Sequence, residues 1–119
     1  MARRDLTGAV DFTVLETFTA GDPGITEEIL VLFREQAAVW RPMLDAGSPG
    51  WRDATHSIKG AAGGIGALRL ADACGQAEKA EVGMAGPALE RVIDEMDRAL
   101  FDVAAMLHEL ELQALRASS

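Results

Sequence analysis

His56 and Lys59 lie three positions apart, and glycines follow the histidine at offsets of four, seven and eight: Gly60, Gly63 and Gly64. An imidazole in water titrates near about 6.5, so a large neutral, nucleophilic fraction is present at cell pH. On a helix, residues three apart are surface neighbours, which sets the ammonium of Lys59 beside the ring. A cation there does not help a histidine hold a proton. It does help a histidine hold a phosphoryl group, because the negative oxygens then lie near a positive charge. Asp53 on the same face has the opposite effect and reads as ordinary surface.

At 100° per residue a helix from Pro49 to Ile65 sorts onto two faces. Trp51, Ala54, Ile58, Ala61, Ala62 and Ile65 share an apolar side; Arg52, Asp53, His56, Lys59, Gly60, Gly63 and Gly64 share the other. A solvated face is usually filled with good helix formers. Each helical glycine costs about 1 kcal/mol relative to alanine, so three cost about 2 to 3 kcal/mol. A partner that must approach the backbone closely accounts for that cost. Gly60 sits mid-helix and demands this explanation; for Gly63 and Gly64 the start of an interhelical turn is an equally good one.

Other chemistries find little support. Neither a GxxxxGK[ST] phosphate loop nor room for a kinase ATP-binding block is present, so phosphorylation from ATP is excluded. Gly63-Gly64-Ile65-Gly66 follows no strand and is not a dinucleotide fingerprint. Cys74 is the single cysteine, which rules out an internal disulfide and leaves a small core hydrophobe. His108 flanks the apolar stripe of the last helix near Glu109 and Glu111. With His56 on another helix it forms no recognisable ligand set, and no metal is expected.

The elements that position these residues are helical throughout. Phe12, Leu15 and Phe18 follow the N-cap Asp11, and Gly21 stops that short helix. Asp22-Pro23 opens a second helix in which Ile25, Ile29, Leu32, Phe33, Gln36, Trp40, Met43 and Leu44 recur at helical spacing to about Ala46, with Pro42 expected to bend it or end it early. Ser48 and Pro49 restart the chain as a third helix to Ile65. A break near Gly63 to Gly66 leads to a fourth from Ala67 to about Val82, closed by Gly83 and Gly86. Pro87 begins the last, whose stripe of Leu89, Val92, Ile93, Met96, Leu100, Val103, Leu107 and Leu110 runs on to about Leu115 before a frayed end. The expected fold is all-α: an antiparallel up-and-down four-helix bundle with a short N-terminal lid helix, one domain over residues 1–119. Trp40 and Trp51 read as bundle packing.

Composition agrees and narrows the function. Among 119 residues there are 21 alanines, no tyrosine and 5% aromatics, which suits closely packed helices better than a sheet. Eleven Lys and Arg against 19 Asp and Glu give a formal net charge of −8. Nucleic acid and anionic membrane surfaces are therefore poor partners. No signal-peptide run or membrane span is evident, so a cytoplasmic location is expected.

The segment Ala54-Thr-His-Ser-Ile-Lys-Gly-Ala-Ala-Gly-Gly-Ile-Gly-Ala-Leu-Arg-Leu-Ala-Asp-Ala-Cys74 resembles the motif of histidine-containing phosphotransfer (HPt) domains: a histidine, an aliphatic residue two positions on, Lys-Gly, small residues, and a later glycine, here Gly66, that starts the next helix. The likeness extends over nearly the whole chain. It implies that His56 is the phosphoacceptor, Lys59 the residue that neutralises the phosphate, and Gly60 the place where a receiver domain comes close. It also implies a polar side chain on the following helix that hydrogen-bonds the imidazole, with Glu78 or Gln76 in place. Ala77 stands where the family usually has leucine, which leaves that register open.

Arg52, one turn before His56, and Arg69, at the start of the next helix, read either as a rim against an acidic receiver pocket or as ordinary surface arginines. The expected function is a phosphorelay intermediate, a monomer that passes a phosphoryl group between a histidine kinase or hybrid kinase and the receiver domains of response regulators. The Mg²⁺ is expected on the receiver, and the carrier itself needs no cofactor. The competing readings are a non-catalytic adaptor that binds and blocks a receiver or kinase through the same face, and a structural helical module. The start at Met1 suggests a stand-alone protein rather than a module of a larger kinase.

Overall fold

In the computed structural model, which describes residues 8–118, helix α1 spans Phe12–Thr19, α2 Pro23–Trp40, α3 Trp51–Ile65, α4 Leu68–Lys79 and α5 Ala85–Ser118. Short 3-10 turns at Arg41–Met43 and Val82–Met84 join α2 to α3 and α4 to α5. Each of α2, α3, α4 and α5 packs on its two neighbours around a closed ring, and α1 lies on α2 and α3. The result is the anticipated up-and-down four-helix bundle with a lid. Its centre is aliphatic: Leu15, Leu30, Ile58, Leu70, Leu89, Val92, Met96 and Val103 are all fully buried.

Local chemistry explains most boundaries. The Asp11 carboxylate accepts from Thr13 N at the start of α1, and the Asp22 carboxylate accepts from Gly24 N and Ile25 N at the start of α2, each satisfying donors that a helix start leaves free. Ala20 and Gly21 turn left-handed, at φ 55° and 76°, and end α1.

The boundaries that differ from the sequence expectation have physical causes. Helix α2 ends at Trp40 and not near Ala46, because Pro42 has no N–H to give and its ring crowds the preceding turn. Helix α3 begins at Trp51, with Gly50 as its cap and no side-chain cap bond. Ser48 is not the cap: Asp45 folds the preceding turn onto itself, its carboxylate accepting from Gly47 N at 2.8 Å and its carbonyl from Ser48 N at 2.8 Å. Gly63 and Gly64 are helical, and the break comes only at Gly66, at φ 91°. Helix α4 stops at Lys79, and α5 takes in Gly86 and Pro87 within its first turn, where a missing N–H is harmless. At its far end α5 continues to Ser118, past the expected end at Leu115.

Two polar contacts, the second of them buried, fix the lid segment. The Gly66 carbonyl accepts from Asp11 N at 2.8 Å, and the fully buried Asp102 on α5 accepts from Val10 N at 3.2 Å. Not every apolar position faces inward. Phe18, Ile25 and Leu32, which recur at the apolar helical spacing, are exposed, Phe18 by 77% and Leu32 by 52%.

Candidate functional site

The two faces of α3 separate as the helical spacing demands. Trp51, Ala54, Ile58, Ala62 and Ile65 are buried, with Ala61 half-buried beside them. Thr55, next to the histidine, is also fully buried, and its hydroxyl donates to the Arg52 carbonyl at 2.8 Å. A threonine can thus be buried on a helix without an external partner. His56 stands on the opposite side, its side chain 74% exposed.

Helix α4 supplies the histidine's partner. Glu78 Oε2 lies 3.4 Å from His56 Nδ1, and Glu78 Oε1 lies 3.3 Å from Lys59 Nζ. One carboxylate therefore holds the ring with one oxygen and the ammonium with the other. Partial burial by itself would push the Glu78 carboxyl up; Lys59 first and His56 second outweigh it and hold it below its ordinary value. The carboxylate is thus ionised and an acceptor at neutral pH. An Nδ1–H donating to it fixes the tautomer in which Nε2 carries the free electron pair. The separation of 3.4 Å is long for a hydrogen bond, and contacts of this kind tighten as the reacting group arrives.

Of the two residues proposed to orient the ring, only Glu78 reaches it. Gln76 is turned away on α4, donating to Asp72 at 3.1 Å and accepting from Arg91. The two side chains are about 200° apart around a helix, so burying Ala73, Cys74 and Ala77 against the bundle leaves only one of them at α3. Cys74 lies fully buried behind this site, where burial first and the Glu78 charge second push its thiol up to about 12.

The glycine ledge is open. A Cβ built on Gly60, Gly63 or Gly64 meets nothing within 4 Å, so no internal contact requires glycine at any of the three. Gly66 is the opposite case: its φ of 91° is left-handed, and a Cβ there would run into the Asp11 carbonyl oxygen. Beyond the ledge lies a groove of about 290 Å³ between α1, α2 and α3, lined by Phe18, Ile29, Leu32, Gln36, Ala61 and Gly64 among others. Helical spacing put Phe18 and Leu32 on apolar stripes but gave no sign of this groove. Their periodicity is the same whether a stripe is covered by the bundle or left open.

The two candidate rim arginines have internal partners. Arg52 donates to the carbonyls of Glu78 at 2.7 Å and Ala80 at 3.2 Å, and its guanidinium stacks over Trp51 at 4.3 Å. Arg69 pairs at 3.5 Å with the buried Glu95 of α5, which Arg98 also meets at 3.4 Å. His108 is exposed, and among the described residues no group of three or more His, Cys, Asp or Glu could hold a metal ion. Nor is any helix of the described residues long and apolar enough to cross a membrane.

Residues 28–118 match the family model of the Hpt domain. The crystal structure of the histidine phosphotransferase ShpA from Caulobacter crescentus is similar at 51% sequence identity with a TM-score of 0.79, over 94% of this chain and 100% of that one. No curated protein matches.

Proposed function

The chain belongs to the Hpt domain family, whose members act in two-component phosphorelays with kinases and response regulators, and on that premise we propose that it carries a phosphoryl group on His56. The observation that supports this reading is the exposed imidazole bound through Nδ1 to Glu78 at the edge of a ledge stripped of side chains.

In the forward step the Nε2 electron pair attacks the phosphorus of an aspartyl phosphate on a receiver. A P–N bond forms as the P–O bond breaks, and the receiver's aspartate leaves as a carboxylate. The Nδ1 proton stays on the ring, and Glu78 stabilises the positive charge that the ring acquires. Lys59, held 3.3 Å from Glu78, is near enough to exchange that partner for the phosphoryl oxygens. The reverse step delivers the group to another receiver. The receiver supplies Mg²⁺ and the carrier no cofactor of its own. Gly60, Gly63 and Gly64 let the receiver's acidic pocket approach the backbone, and the groove at Phe18 and Leu32 extends the contact. The protein acts as a monomer in the cytoplasm.

Purified protein mixed with a phosphorylated receiver should acquire acid-labile phosphate, and the His56→Gln variant should acquire none. Binding of the receiver without transfer, unchanged in His56→Ala, would point instead to an adaptor that blocks its partner.

A further inference from the structure

Glu78 stands in the last turn of α4, one residue before the helix ends at Lys79. The last carbonyls of a helix have no partner within it, so such a turn frays unless something else holds them. Here Arg52 does. Its Nη1 donates to the Glu78 carbonyl at 2.7 Å and its Nη2 to the Ala80 carbonyl at 3.2 Å, a two-pronged contact that also places a positive charge at the negative end of α4. Trp51 supports the guanidinium from the other side at 4.3 Å. Arg52 precedes His56 by four residues on α3, so one face of one helix grips the backbone of Glu78 and, a turn later, meets its carboxylate.

We infer that Arg52 is a positioning residue: it clamps the end of α4 so that the Glu78 carboxylate stays on His56 Nδ1, and it thereby sets the tautomer of the phosphoacceptor. The inference rests on the phosphocarrier reading for its consequence in transfer, but not for its consequence in the ring. It also assigns Arg52 to the inside of the site rather than to a contact with the receiver, since both prongs of its fork are engaged within the chain.

Two measurements on Arg52→Ala and Arg52→Lys separate these roles. The first is the nitrogen-15 spectrum of the His56 ring in the free protein, at a pH where it is neutral, with Glu78→Ala as the reference for a ring without its partner. The Nδ1–H tautomer should dominate in the parent, Arg52→Ala should move to the mixture of Glu78→Ala, and Arg52→Lys, which keeps the charge but not the fork, should fall between. The second is transfer from a phosphorylated receiver: the rate at saturating receiver should fall about 10-fold in Arg52→Ala, with the half-saturating receiver concentration unchanged. A parent-like tautomer ratio in a folded Arg52→Ala overturns the inference, as does a loss confined to the half-saturating concentration. If Arg52→Ala does not fold, Arg52→Lys decides on the same readouts. If the parent accepts no phosphate at all, the phosphocarrier reading fails while the ring spectrum still decides on Arg52.

Discussion

Gly60→Ala should make the protein more stable and a poorer phosphocarrier. Gly60 lies in the interior of α3, and a Cβ there meets nothing within 4 Å, so the new methyl group neither clashes nor fills a void. What remains is the difference in helix propensity, about 1 kcal/mol in favour of alanine. For a chain of this length that raises Tm by about 4 °C, readable by circular dichroism. Gly63 and Gly64 occupy the last turn of the same helix with the same open surroundings, and replacing all three should add up to about 2 kcal/mol. The rate of phosphoryl transfer from a receiver, followed by loss of its label, should fall several-fold in Gly60→Ala and vanish in Gly60→Arg, whose side chain covers the ledge. Opposite movements of stability and activity are the signature of a residue kept for function. A Gly60→Arg variant that transfers at the parent rate would refute the idea that a partner needs this surface. A Gly60→Ala variant that melts lower would refute the account of the helix.

Gly66→Ala should behave in the opposite way to Gly60→Ala: the left-handed backbone and the collision with the Asp11 carbonyl should cost about 3 kcal/mol and lower Tm by about 10 °C. Asp102→Ala leaves the buried Val10 N–H without its acceptor and should destabilise by about 1 to 3 kcal/mol in urea unfolding. Because burial pushes the Cys74 thiol up to about 12, it should resist iodoacetamide at pH 9 in the native protein and react fully in urea, as mass spectrometry would show. The same raised value means that Cys74 contributes fully to stability below the ordinary thiol range and progressively less as pH climbs from about 9 towards 12, so the urea midpoint should fall over that window in the parent and fall less in Cys74→Ala.

The helices themselves were legible because their signals are local. Asp11, Asp22 and Pro23 start α1 and α2 as read, and the two faces of α3 follow from spacing alone. The ends were less legible where a competing local structure intervened: the Asp45 turn took the place of a Ser48 cap, and Gly63 and Gly64 stayed helical because the left-handed turn falls to Gly66. Phe18 and Leu32 show the limit of periodicity, which identifies a stripe but not what covers it.

By itself the sequence determined that His56, Lys59 and Gly60 share one helical face, because 3.6 residues per turn leaves no other arrangement. Only the tertiary structure decided what that face meets. Gln76 and Glu78 were equally placed as candidates along α4, and the choice between them depended on how α4 rolls to bury Ala73, Cys74 and Ala77 against its neighbours. The same roll brought the last carbonyls of α4 to Arg52, a contact across 26 residues of chain that no local pattern encodes. Spacing along a helix is fixed by backbone geometry, whereas the rotation of one helix against another is set by the sum of many side-chain packings.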